Sequence, residues 1–281
     1  MAYPYIIQGN NIVVVIGSKS HTITKSHVAY ERVKEAIKTG DWETVKDIAE
    51  PKKVVLEYGS GNVSIQGETL YWKGQEMHNA LTQRMISMLA EGFPIEPFVL
   101  FMENLQRNPS HRAVNELYGF LEKNNLPITP DGHFLAYKRV RNDYYDVHSG
   151  SVPNKPAYML TEEDKAVLPL RCGKHDEVSV RFNKGVLSVS MSRNQVDDDK
   201  DRTCSKGLHF CSQEYLGSFG GERIMILKVN PRDVVSIPSD YNDSKGRCCR
   251  YEVVGELGVD ASDAFTSAVQ ETANVHVSRF E

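Results

Sequence analysis

Arg202-Thr203-Cys204-Ser205-Lys206-Gly207-Leu208-His209-Phe210-Cys211-Ser212 opens a stretch that closes on Gly246-Arg247-Cys248-Cys249-Arg250-Tyr251-Glu252-Val253-Val254-Gly255-Glu256. Leu208-His209-Phe210-Cys211 alternates large side chains between Gly207 and Ser212, the pattern of a short strand with two different faces. Gln213-Glu214-Tyr215-Leu216 then reads as a helical turn capped by Ser212. Arg223-Ile224-Met225-Ile226-Leu227-Lys228-Val229 is near-continuously apolar over strand length, which predicts a central strand covered on both sides, ended by Asn230-Pro231. Residues 233–238 and 249–256 supply two more strands. The loop between them, 239–246, is built of small polar residues that satisfy their own backbone in turns.

Upstream, Thr129-Pro130-Asp131-Gly132 is a turn signal leading into the strand His133-Phe134-Leu135-Ala136-Tyr137-Lys138-Arg139-Val140. Residues 128–257 therefore read as a sheet-rich domain with polar loops at 141–150 and 194–202. Residues 1–127 read differently, as a mainly helical module with a small antiparallel sheet. Asn11-Ile12-Val13-Val14-Val15-Ile16 is a strand turned by Gly17-Ser18-Lys19-Ser20. A helix from Ser26 stops at Gly40, and Asp41 caps a second that carries Trp42, Val45 and Ile48 up to Pro51. A meander follows over 53–72, broken at Gly59-Ser60-Gly61-Asn62 and Gly67, then three helices over 76–92, 96–107 and 110–123. The expected fold class is α+β, with 258–281 as a polar tail.

The 281 residues carry 33 basic and 37 acidic side chains, a net charge of −4, so nothing chain-wide attracts nucleic acid or anionic lipid. No apolar run nears the roughly 20 residues that span a bilayer, and the first residues lack the basic and apolar parts of a secretory signal. That predicts a cytoplasmic chain. Five cysteines with no framework spacing predict free thiols.

Several strings in order carry a family resemblance: His133 to Val140, Asn194-Gln195-Val196-Asp197-Asp198-Asp199, Thr203 to Ser212, Glu214-Tyr215-Leu216, Asn230 to Tyr241 and Tyr251-Glu252-Val253-Val254. They resemble the phage rIIB family, the B component of the T-even rapid-lysis pair, closely over the second half and in outline over the first. The resemblance implies an early, non-virion bacteriophage protein of the host cytoplasm. It also implies an rIIA-type partner and a role against exclusion by prophages or other host defence. Peripheral association with the inner membrane would come through that partner. The family carries no settled catalytic residues, so none transfer.

The sites are weighed on their own chemistry. Cys204, His209, Cys211, Cys248 and Cys249 are zinc-binding residue types, but Cys204 and Cys211 lack the usual spacing, and adjacent Cys248 and Cys249 point to opposite faces of a strand. Cys172-Gly173-Lys174-His175 has a two-residue gap in a polar loop. The expected metal and cofactor are therefore none, with zinc and NAD carried as alternatives. The NAD alternative rests on His209, Tyr215 and a late Glu252, whose order resembles ADP-ribosyltransferase-like folds; there the glutamate would stabilise an oxocarbenium-like ribose. Asp197-Asp198-Asp199 lacks the glycine and distal glutamate of a calcium loop and reads as a solvated turn beside Lys200 and Arg202. A third reading takes Tyr137-Lys138-Arg139-Val140-Arg141 with Tyr144 and Tyr145 as a nucleic-acid strand surface. The leading expectation is a binding and assembly protein, homo-oligomeric or in complex. Its surface would lie on loops bearing Asp197, Asp198, Asp199, Asp240, Tyr241 and Arg247.

Overall fold

The computed structural model describes residues 2–27, 29–50, 63–66, 69–76, 96–124, 126–218 and 220–258. They form two compact units, residues 1–99 and 100–281.

The first unit opens with three antiparallel strands, β1 (Tyr5–Gln8), β2 (Asn11–Ile16) and β3 (Lys19–Thr24), paired in that order. Alternation along β2 turns Ile12, Val14 and Ile16 inward. There they meet Val33 and Ile37 of α1 (Tyr30–Thr39) and Val45 and Ile48 of α2 (Trp42–Ala49). Asp41 accepts the Thr44 amide at 3.2 Å, the expected cap of α2. The expected start of α1 at Ser26 moves to Tyr30, because His27 Nδ1 accepts the Ala29 amide and its carbonyl the Tyr30 amide, closing a turn first. A second three-stranded sheet, β4 (Val63–Gln66), β5 (Thr69–Trp72) and β6 (Gln75–Glu76), matches part of the expected meander. The 53–62 part of that meander and the helix expected over 76–92 fall almost wholly outside the described residues.

"Mainly helical" is therefore corrected for this module: among its described residues, two sheets accompany α1 and α2. The missed strands are β1, whose Tyr-Ile-Ile does not alternate, and β3, whose one buried residue, Ile23, gives too faint a period.

The second unit is built on one antiparallel sheet of nine strands. Within it β7 (Phe134–Val140) is flanked on one side by β11 (Leu208–Cys211), β14 (Lys245–Cys248) and β13 (Val234–Ser236). On the other side follow β12 (Arg223–Val229), β15 (Arg250–Glu256), β10 (Val186–Met191), β9 (Val178–Asn183) and β8 (Leu170–Cys172). The expected double cover of β12 holds in part, since Met225, Leu227 and Val229 are fully buried and the alternate residues only half so. β14 corrects the reading of 239–246 as a loop, which is confined to 239–244. The turn after β11 is a 3₁₀ segment, Glu214–Ser218, and Ser212 does not cap it, since its hydroxyl has no hydrogen-bond partner among the described residues.

Helices α3 (Glu96–Gln106) and α4 (His111–Asn124) lie where the periodicity predicts. Phe120 of α4 meets Phe134 and Phe210 with ring centroids 5.5 to 6.2 Å apart, a three-ring nucleus joining helix, β7 and β11. Gly246 of β14 lies opposite Phe210, and a Cβ there would fall 2.2 Å from the ring. Asn108, between the helices, donates to Pro231 O and Val234 O and accepts from Ser110 N and Arg193 Nη2. A buried amide satisfied on both ends ties the helical turn to the β12–β13 connection.

Gly132 is the tightest point. It sits at φ +71°, and a Cβ would lie 2.4 Å from the backbone of Leu100 and Phe101 in α3. Backbone cannot swing aside as a side-chain tip can. Gly132→Ala is expected to destabilise the second unit by about 2–4 kcal/mol, read as a lower urea midpoint; an unchanged midpoint refutes this packing.

Candidate functional site at the β7–β11 seam

β7 and β11 share a single register pair, Cys211 opposite Tyr137. At this seam opens a cleft of about 730 Å³. One wall is the segment 204–211, another the turn between β8 and β9 with Gly173, Lys174 and Glu177, and a third the loop 146–152.

Lys138, only 6% exposed, points into this region from β7. Its ammonium lies 2.6 Å from Asp146 and reaches toward the His209 carbonyl at 3.4 Å. Burial alone would raise the Asp146 carboxyl. The Lys138 charge and hydrogen bond, with the amides of Ser149 and His148, outweigh burial and hold it well below the ordinary carboxylate range. A pair so enclosed depends on its partner: each charge makes the other tolerable.

His209 Nε2 lies 2.8 Å from the Ser205 carbonyl. Burial first, then the charges of Lys138 and Arg247, push its pKa down to about 4, so the ring is neutral at pH 7 and donates its Nε2–H there. Tyr215, from the turn after β11, also lines the cleft, and the Lys245 ammonium stands 5.6 Å from its ring centre. Glu252 is not brought here. It lies on β15, three strands from β11 or roughly 14 Å at about 4.8 Å per strand. There its carboxylate meets Lys228 at 3.1 Å and Arg250 at 3.9 Å. Chain order suggested a trio that the sheet order separates.

The thiols are scattered. Cys204 is exposed at the cleft wall, while Cys211 Sγ donates to Tyr137 O at 3.3 Å and Cys248 Sγ to Leu208 O at 3.4 Å. Burial pushes Cys211 up to about 12, pushes Cys248 upward as well, and with Glu177 and Asp176 lifts Cys172 to about 11. Cys249 packs with Val196 and Val235, and His175 lies in an exposed turn. Among the described residues no three His, Cys, Asp or Glu side chains converge as metal ligands would. The strand expected to offer a nucleic-acid surface is interior: Tyr137 and Lys138 are buried, and Arg139 is spent on the carbonyls of Leu216 and Gly221.

The two loops expected to carry a binding surface are brought together. Ser239 N donates to Lys200 O, and Ser239 Oγ lies 3.5 Å from Asp201. Asp197 accepts from Ser205 Oγ, Asp199 N and Arg202 Nη1, and these bonds, Ser205's first, lower its pKa to about 2. Asp198 is exposed and pairs with Arg112 at 2.8 Å, and Asp240 pairs with Lys245 at 2.7 Å. The backbone of Tyr241 enters a 3₁₀ turn; its side chain lies outside the described residues. Arg247 is the correction. Expected in an exposed loop, it is fully buried in β14, donating to Asp199 O, Arg202 O and Ser236 Oγ beneath both loops. Sequence reasoning missed that role and Asp146, since carbonyl acceptors leave no mark in a sequence. Lys138 was read as part of an exposed nucleic-acid strand surface, whereas it is a buried charge.

Fold and site together define an α+β protein whose chemistry-bearing side chains gather at one sheet seam and on two joined loops. Among the described residues no helix is long and apolar enough to cross a membrane. The family described as Bacteriophage T4 protein rIIB matches residues 3–167 and 175–270. Protein rIIB of Enterobacteria phage T4 is 34% identical over 247 residues, covering 87% of this chain and 70% of that protein. No solved structure matches. The chain belongs to the phage T4 rIIB family, and the likeness runs through the first half as well as the second.

Two outcomes are expected. The unfolded chain protonates His209 near its ordinary pKa of 6.5, while the folded site refuses the proton until about pH 4. Stability is therefore lost as pH falls from 6.5 toward 4, by up to about 3 kcal/mol. Urea titrations across that window should show His209→Gln losing less than the parent, and parallel losses would disprove the shift. Lys138→Met should cost about 3–5 kcal/mol by stranding Asp146. Adding Asp146→Asn should recover much of that in a double-mutant cycle, and additive costs would rule out the coupling.

Proposed function

We propose that this rIIB-type protein acts by binding rather than catalysis. In the host cytoplasm it works with an rIIA-type phage partner, as an early protein opposing exclusion by prophages or another host defence. Any hold on the inner membrane passes through that partner. Family membership supports the setting.

The observation that carries the binding reading is the Arg247 clasp. A buried guanidinium fixes the carbonyls of Asp199 and Arg202 from below, so the exposed charges of Asp198, Asp201 and Arg202 stand on a loop held in advance of any partner. Pre-ordering lowers the entropy cost of association. The position of Glu252, ion-paired on a distant strand, favours this reading over an NAD-consuming enzyme. Homo-oligomerisation is supported separately by β1, an edge strand of its sheet with Tyr5, Ile6 and Ile7 all exposed, Ile6 by 63%.

Co-purification with the rIIA-type protein of the same phage tests the complex. Asp198→Lys with Asp201→Lys is expected to reduce recovery of the partner at least about tenfold, some 1.4 kcal/mol, with the melting temperature little changed. Undiminished recovery would remove the joined loops as the partner surface.

A further inference from the structure

The seam cleft has a chemical bias that partner assembly does not require. Its volume of about 730 Å³ lies within the roughly 300–1,000 Å³ typical of small-ligand sites. Five lysine or arginine side chains reach its wall against two carboxylates, in a chain whose net charge is −4. A local cationic excess on an acidic protein selects for an anion.

Most of those cations are committed. Lys138 is paired with Asp146, Lys245 with Asp240, and Arg139 with two carbonyls. Two are available. Lys174, in the β8–β9 turn, has no carboxylate partner among the described residues, and Lys206, on the segment leading to β11, stands 3.8 Å from Glu177, beyond a hydrogen bond. They approach the cleft from different walls. The Glu177 carboxylate takes the His175 amide at 2.6 Å on its other oxygen, so at 3.8 Å Lys206 is the weaker of its two contacts. The Ser149 hydroxyl adds a polar atom to the lining, and Val152, Val178, Leu208 and Tyr215 give it an apolar and aromatic part. Loosely committed cations together with apolar and aromatic lining match a molecule that carries both a phosphate and a flat ring. Lysine binds phosphate as a point charge and needs no bidentate geometry.

We propose that the β7–β11 cleft binds a phosphorylated aromatic small molecule of the nucleoside phosphate class, with Lys174 and Lys206 meeting the phosphate. The two lysines tested here are not among the residues of the proposed partner surface, so either proposal can fail alone.

Isothermal titration and thermal melting of the full chain test it with AMP, ADP, adenosine and inorganic phosphate. AMP or ADP should raise the melting temperature by about 3 °C or more at saturating concentration, and adenosine and phosphate should have little effect. Lys174→Glu with Lys206→Glu should weaken AMP or ADP at least about tenfold, while Lys165→Glu, away from the cleft, should leave binding intact. Where reversed charges disturb folding, the paired alanine variants must show the same loss. No response to AMP or ADP, equal binding of adenosine, or affinity unaltered in the double variant would each overturn the proposal. Binding of a short single-stranded DNA without binding of AMP or ADP would overturn it too, in favour of a polymer.

Discussion

The second unit depends on what holds β7 against β11 where the backbone ladder does not. With one register pair between them, most backbone groups along the seam need partners other than each other. Side chains fill the gap: Cys211 Sγ takes the Tyr137 carbonyl, Lys138 reaches the His209 carbonyl, and Phe210 closes on Phe134 and Phe120. These contacts set other requirements in turn. Position 246 must be glycine because Phe210 occupies the space of a Cβ, and a lysine buried at the seam needs Asp146 turned inward from its loop. The cleft is what an incompletely zipped sheet leaves once its rings and charges are placed.

The Arg247 clasp solves a related problem at the next seam. Among the described residues the buried guanidinium has no carboxylate hydrogen-bonded to it, its acceptors being two carbonyls and one hydroxyl, and its Nε has no partner. Leaving such a donor set unsatisfied is costly, so the 199–202 backbone is drawn down onto it. The loop's acidic side chains then face outward by default. Rigid placement of a charged surface follows from satisfying a buried cation, which links the packing of β14 to whatever meets Asp198.

Much of the architecture was legible because it rests on local period. β2, β7, β11, β12 and β15 are all close to where alternation or apolar runs put them, and α1 to α4 follow their stripes and caps. What was not legible is pairing. Asn108 bonds to Val234 across 126 residues, and nothing in the sequence near either announces it. Arg247 read as loop because Ser244, Lys245 and Gly246 precede it, yet Gly246 is there to admit Phe210 rather than to turn the chain. The candidate site divides in the same way. His209 and Tyr215 reach one cleft because they are neighbours in sequence, whereas Glu252 is separated from them by a strand order that chain order does not reveal.

The protonation of the seam bears on what the cleft does. Proton transfer near neutral pH is best served by groups whose pKa lies close to the working pH. Here the surroundings drive the groups the other way: burial takes the imidazole of His209 down to about 4 and the thiol of Cys211 up to about 12, and the Lys138 charge, against burial, holds the Asp146 carboxyl well below its usual range. Each is locked in one state across the physiological range, and each is already spent on a structural partner. Such groups fix the shape and charge of a cavity without exchanging protons with what enters it. That arrangement gives the cleft a fixed shape, and the proposed phosphate contacts, Lys174 and Lys206, stand at its wall rather than among the buried residues at the seam.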